Sequence, residues 1–178
     1  ALLKAAIRSD NPVIFFEHVL LYNVKGPVGD QDEVQCLEQA EVVREGVDIT
    51  IFCYSRMRYV VTQAVQELVE KGYDPEVIDL ISLKPFDMAT ISRSLKKTRR
   101  VLIVEECMRT GGIGSSLSAI INEKYMDELD CEVVRLSSQD VPTSYAYELE
   151  AKTIVQSDQV VDAVSKMMTG EKVEIGAF

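Results

Sequence analysis

The single histidine, His18, follows an apolar run, and a group titrating near neutral pH there could act as a general base or proton relay. The plainer reading is a polar residue at the mouth of a sheet. One histidine excludes histidine-rich zinc sites and HExxH metalloproteases. Thr110-Gly-Gly-Ile-Gly114 lies between a strand-like run and a helical pattern, where glycine-rich loops can cradle phosphate at a helix N-terminus. Leu117, not glycine, follows Gly114 at the next fingerprint position, and no Lys-Ser/Thr pair succeeds the loop. Both the dinucleotide fingerprint and the P-loop therefore fail, and a tight turn with close helix–sheet packing is the simpler account. Glu105 and Glu106 close a strand, but adjacent strand residues face opposite ways, so they read as separate carboxylates rather than an acid–base dyad. The polar run Ser137–Tyr145 reads as a structured loop that could serve an interface or a site. One cation site follows from backbone alone. A helix ending near Arg8 leaves carbonyls at Ala6 and Ile7 at the negative pole of its dipole, and Ser9 and Asn11 add carbonyls before Pro12. Such a cluster suits a monovalent cation such as potassium; water capping is the alternative.

These residues need elements to hold them. Leu2, Leu3, Ala6 and Ile7 recur at helical spacing up to Pro12, and Val13–Phe16 is a short strand-like run. Residues 25–46 lose periodicity and turn acidic, with Gly26, Pro27 and Gly29 at the start, which predicts a linker and a domain boundary near residue 45. Beyond Gly46, strands are expected at 49–54, 76–81, 101–104 and 131–136. Helices between them carry Val61, Ala64, Val65, Leu68 and Val69, then Met88, Ile91 and Leu95 under an Asp87 cap, then Leu117, Ile120 and Ile121. Gly72 is placed to end the first of these. A last helix carries Val160, Val161, Val164 and Met168, capped by Ser157 or Asp158, and the tail from 171 to 178 has no pattern. Strand–helix alternation with continuous apolar strands predicts an α/β fold, a three-layer α/β/α sandwich around a mostly parallel sheet.

Composition bounds the function. The chain has 178 residues, 47% of them hydrophobic and 27% charged, which is enough for a core without metal or disulfide staples. With 19 basic against 29 acidic residues and a net charge of −10, it has no basic patch for nucleic acid. No run reaches the roughly 18 apolar residues that span a membrane. The cysteines Cys36, Cys53, Cys107 and Cys131 lie apart without a CxxC, which does not make a zinc site, and the last three read as buried reduced thiols. The start, ALLKAAIRSDNP, reads as a helix entered part-way, so a fragment or processed product is expected. Residue chemistry alone stops at an α/β domain with no demonstrable active site. An enzyme whose catalytic residues lie elsewhere and a binding or assembly module both stay open.

Several stretches resemble one family. Asp10–Asn23 is similar to the end of the pyrimidine-binding domain in beta subunits of thiamine-diphosphate-dependent 2-oxo acid dehydrogenases. Asp48–Met57, Ile78–Met88, Val101–Glu106, Gly111–Gly114 and Ser138–Ala146 follow in that family's order through its transketolase-type C-terminal domain. FFEHVLLYN, YSRMRY and EECMRTGGIG resemble the pyruvate dehydrogenase branch of plastid and cyanobacterial type. The resemblance implies residues 1–24 as the end of the pyrimidine-binding domain, 25–46 as linker and 47–170 as the C-terminal domain. It implies an α2β2 enzyme that decarboxylates pyruvate on thiamine diphosphate with magnesium and passes acetyl to lipoyl groups. Its partners would be the alpha subunit, a second beta subunit and the dihydrolipoyl acetyltransferase, in the plastid stroma or, if cyanobacterial, the cytoplasm. The cofactor-activating glutamate and the catalytic histidine would precede Ala1, so no catalytic or cofactor-binding residue is expected here, and His18 does not match that histidine. The family's potassium site falls on Ala6, Ile7, Ser9 and Asn11; Ser9 stands where many relatives carry Asp, so carbonyl ligation survives and side-chain ligation does not. The fragment alone would be inactive and serve assembly and docking. A branched-chain 2-oxo acid dehydrogenase beta subunit, a transketolase-like synthase and a flavodoxin-like binding module are the alternatives.

Overall fold

A computed structural model describes residues 1–26 and 34–174; the expected linker residues 27–33 and the end of the tail, 175–178, lie outside the described residues. Three stretches become the buried centre of one sheet: β2 (Ile49–Cys53), β3 (Pro75–Asp79) and β4 (Val101–Met108). Every residue of β2 and β3 is buried, Glu76 and Asp79 of β3 included, as helices covering both faces of the sheet require. The sheet is completed by β1 (Glu41–Arg44) and β5 (Val134–Ser138) in the order β1-β3-β2-β4-β5. All pairs are parallel except β1 with β3.

Three helices cross over between parallel strands, α2 (Met57–Glu70), α3 (Met88–Thr98) and α4 (Ile113–Tyr125), while α1 (Leu2–Arg8) precedes the sheet and α5 (Tyr147–Thr153) and α6 (Ser157–Thr169) follow it. Successive strand side chains face opposite layers. Ile51, Leu102 and Val104 pack with Val61, Leu68 and Val164 of α2 and α6. Phe52, Ile78 and Ile103 pack with Ile91, Leu95, Leu117 and Ile121 of α3 and α4. The result is the expected α/β/α sandwich. Among the described residues no helix is long and apolar enough to cross a membrane.

Polar ties fix the layers. Asp87 caps α3 through the Thr90 N–H at 3.0 Å and also accepts the Ala40 N–H at 3.1 Å, which fastens the entry to β1 onto α3. Arg58 of α2 bridges Glu41 of β1 at 2.6 and 2.9 Å and Asp79 of β3 at 3.4 Å. Burial pushes the Asp79 carboxyl above its usual range. Under α3, buried Glu76 meets Lys97 and Ser94, and the Thr50 hydroxyl lies 2.6 Å from that of Ser94 and 2.7 Å from that of Thr98. Burial raises the Glu76 pKa as well.

The structure departs from the sequence reading at several points. β1 lies inside the stretch read as linker; it is four residues long and half-buried, and its pairing with β3 is stated by no local pattern. Val13–Phe16 forms no strand, and among the described residues no strand pairs with it. The expected 131–136 strand is displaced to Val134–Ser138, and α5 arises in a stretch that carried no helical signal. Gln156, not Ser157 or Asp158, caps α6, in a reciprocal box with Gln159. Val173 of the tail is buried against α2 and α6. Of the cysteines, Cys53 is buried, Cys131 is partly covered, and Cys107 is exposed where a buried thiol was expected; all are free. Cys107 lies near the end of β4, past the part that the helices cover.

Gly46 sits at the β1–β2 turn, where a Cβ would come within 2.5 Å of the Asp74 carbonyl oxygen and the Glu76 backbone nitrogen. Backbone cannot yield as a side chain does. Gly46→Ala should therefore cost about 2–3 kcal/mol in urea unfolding.

Candidate functional site

The carboxyl ends of β2, β4 and β5 share one edge of the sheet, where α/β folds gather their ligands. Glu105 points from β4 toward α4 and is fully buried. Its Oε2 accepts the Gly114 N–H of the first turn of α4 at 2.8 Å and the Cys107 thiol at 3.1 Å. Its Oε1 accepts Arg135 Nη2 at 2.9 Å and the Ser137 hydroxyl at 2.8 Å, both from β5. The Tyr54 hydroxyl, just past β2, lies 3.5 Å from Oε2 and 3.3 Å from Cys107 Sγ. Burial alone would raise this carboxyl's pKa. The Gly114 N–H, Cys107, Arg135 and Ser137 outweigh it and hold the group below the usual glutamate range. Burial pushes the Tyr54 hydroxyl and the Cys107 thiol up, which keeps both neutral and protonated beside the carboxylate.

The glycine-rich loop is therefore an anion cradle whose anion is the chain's own. A Cβ on Gly112 or Gly114 would lie 2.8 or 2.7 Å from Glu105 Oε1. Glycine is required there so that α4 can approach the carboxylate, which is the tight-packing alternative read from the sequence, now with its physical cause.

Glu106 points to the other face, as strand alternation demands. Arg56, at the N-cap of α2, reaches its Oε1 at 2.8 Å, and His18 Nε2 reaches its Oε2 at 3.0 Å. His18 thus sits at the mouth of the sheet within hydrogen-bond distance of Glu106. Beside Glu106, a cavity of about 310 Å³ is lined by Met108, Val141, Glu150 and Ile154, among others. Tyr145 and Tyr147 stand exposed in the loop and α5 that follow β5. Thr110 donates through its N–H and hydroxyl to Asp140 at 2.9 and 2.7 Å, which joins the glycine loop to the Ser137–Tyr145 loop.

At the other candidate site, α1 ends at Arg8 as expected. The Ala6 carbonyl accepts the Ser9 N–H at 3.3 Å, and the Ser9 hydroxyl accepts the Asn11 N–H at 3.2 Å. Ala6 therefore has a partner that the sequence reading did not give it. The Arg135–Glu105 pair was missed from sequence; nothing local relates positions 30 residues apart.

The family follows from the same region. Residues 38–160 match the family described as the transketolase C-terminal domain. The chain belongs to that family. The chain is 66% identical over 166 residues to the pyruvate dehydrogenase E1 component subunit beta-2, chloroplastic, of Arabidopsis thaliana, covering 93% of this chain and 41% of that protein. It is 62% identical to the pyruvate dehydrogenase E1 component subunit beta of Chaetosphaeridium globosum, covering 93% of this chain and 51% of the relative. The chain thus spans about half the length, or less, of these curated relatives. Among solved structures, a split-gene transketolase in an inactive beta4 tetramer superposes with a TM-score of 0.68 at 28% identity, over 83% of this chain and 47% of that one. A 2-oxoglutarate:ferredoxin oxidoreductase from Magnetococcus marinus shares the fold at a TM-score of 0.50 and 16% identity, over 73% of this chain and 19% of that one.

Glu105→Gln should destabilise the domain by about 3 kcal/mol at neutral pH, because it leaves the largely covered Arg135 without its counter-charge. A carboxyl held below its unfolded value stabilises above the unfolded pKa of about 4.3 and loses that contribution as pH falls through the folded one. The stability gap between wild type and Glu105→Gln should accordingly shrink in urea titrations as pH drops below about 4.

Proposed function

We propose that this chain is the C-terminal half of the beta subunit of a thiamine-diphosphate-dependent pyruvate dehydrogenase, and that it holds subunits together while chemistry proceeds on residues outside it. The observation that carries this reading is the 66% identity to a pyruvate dehydrogenase beta subunit over 93% of the chain. The Glu105 network supports it, since the loop most like a phosphate cradle is filled from within. The described residues hold no cluster of three metal-ligating side chains, so the magnesium that accompanies thiamine diphosphate is assigned to residues outside this stretch.

The partners in this reading are the alpha subunit, a second beta subunit and the dihydrolipoyl acetyltransferase. The cavity lined by Glu106 and Glu150, with Tyr145 and Tyr147 exposed in the loop and helix that follow β5, offers acidic and aromatic groups to a basic domain of the acetyltransferase. The net charge of −10 would steer that encounter. The location is the plastid stroma, by likeness to chloroplastic relatives, or the cytoplasm of a cyanobacterium. Residues 1–24 are the end of the pyrimidine-binding domain, and their exposed Ile14 and Phe16 are the faces such a domain would cover. A potassium ion is held by the carbonyls of Ala6, Ile7, Ser9 and Asn11. Ala6 fits despite its Ser9 bond, because a carbonyl oxygen retains a second lone pair.

The full-length subunit should co-purify with the alpha subunit, and that assembly should consume pyruvate in preference to branched-chain 2-oxo acids. The 178-residue chain alone should consume neither. Turnover by the lone chain, or failure to hold the alpha subunit, would refute the reading. For the cation, potassium should raise the melting temperature more than sodium at equal ionic strength; equal shifts would remove the site.

A further inference from the structure

Apolar burial does little to hold the segment ahead of the sheet in place. Ile14 is 80% exposed and Phe16 85% exposed. His18 links the segment to the domain instead. Its Nε2 lies 3.0 Å from Glu106 Oε2 at the carboxyl end of β4. Its Nδ1 accepts the Leu20 N–H at 3.3 Å and so caps the short 3-10 helix Val19–Leu21. One imidazole satisfies both contacts only when Nε2 carries the hydrogen and Nδ1 does not. Glu106 is held ready on its other side. Arg56 Nη1 occupies Oε1 at 2.8 Å, and the Ser138 hydroxyl donates to the Glu106 carbonyl at 2.6 Å.

We propose that His18 is a positioning residue that latches the incoming segment onto Glu106, with Arg56 orienting the carboxylate. Nδ1 shapes the local turn, and Nε2–H carries the long-range contact. The two nitrogens thus couple how the chain bends at Val19–Leu21 to where it docks on the sheet. The latch concerns contacts within this chain, so it stands apart from the functional reading. In a longer subunit it would set the angle between this domain and the polypeptide leading into it.

The test is amide hydrogen exchange of residues 13–24 in the 178-residue chain, with the amides of β2 as an internal control for global unfolding. His18→Asn places an amide oxygen where Nδ1 was but cannot reach Glu106. His18→Gln places an N–H donor where Nε2 was but offers Leu20 no acceptor. His18→Asn and Glu106→Ala should each accelerate exchange in the segment by about three- to tenfold, with β2 unchanged. His18→Gln should exchange more slowly than His18→Asn. Wild-type exchange in either His18→Asn or Glu106→Ala overturns the latch, as does exchange in His18→Gln as fast as in His18→Asn. Ring ¹⁵N shifts of neutral His18 should show hydrogen on Nε2; hydrogen on Nδ1 overturns it as well.

Discussion

A carboxylate with no access to water must find its hydrogen bonds inside the protein, and Glu105 imposes that demand on the whole carboxyl edge of the sheet. Four donors meet it from α4, β4 and β5: the Gly114 N–H, the Cys107 thiol, Arg135 and the Ser137 hydroxyl. Each supplier is thereby fixed in place. α4 must start close to the strand, so Gly112 and Gly114 carry no Cβ. β5 must present Arg135 inward, so its register against β4 is set by charge as well as by its apolar residues. The helix dipole of α4 adds to the same balance, because its positive end faces the carboxylate.

The next residue shows what alternation does with an identical side chain. Glu106 keeps access to solvent and meets donors that come from outside the sheet, Arg56 ahead of α2 and His18 ahead of the whole domain. Glu105 therefore consolidates the fold while Glu106 faces its surroundings. The edge where many α/β proteins hold a ligand is here divided between an internal lock and an external contact.

Much of the scaffold was legible because burial on both faces writes itself into sequence. β2 and the Val101–Val104 start of β4 are mostly apolar runs, β3 centres on Val77 and Ile78, and α2, α3, α4 and α6 carry apolar residues at helical spacing, as the buried Val61, Leu95, Leu117 and Val164 attest. Asp87 announced its helix because capping is local. β1 was hidden because an antiparallel edge strand buries only part of each residue and takes its stability from β3, far along the chain. Val13–Phe16 misled for the opposite reason: its residues suit a strand, but a strand exists only where a partner supplies the ladder. The glycine loop could be told from a nucleotide fingerprint by spacing, yet the occupant of its cradle could not be named.

The sequence by itself determined the α/β class, the positions of the central strands and their covering helices, and the opposed directions of Glu105 and Glu106, because each of these depends on residues within a few positions of one another. Only the tertiary structure decided that Arg135 and Ser137 complete the Glu105 site, that β1 joins the sheet, and that His18 meets Glu106. Those contacts join residues 30, 32, 33 to 38 and 88 positions apart, and their geometry exists only after the crossovers have brought the strands together.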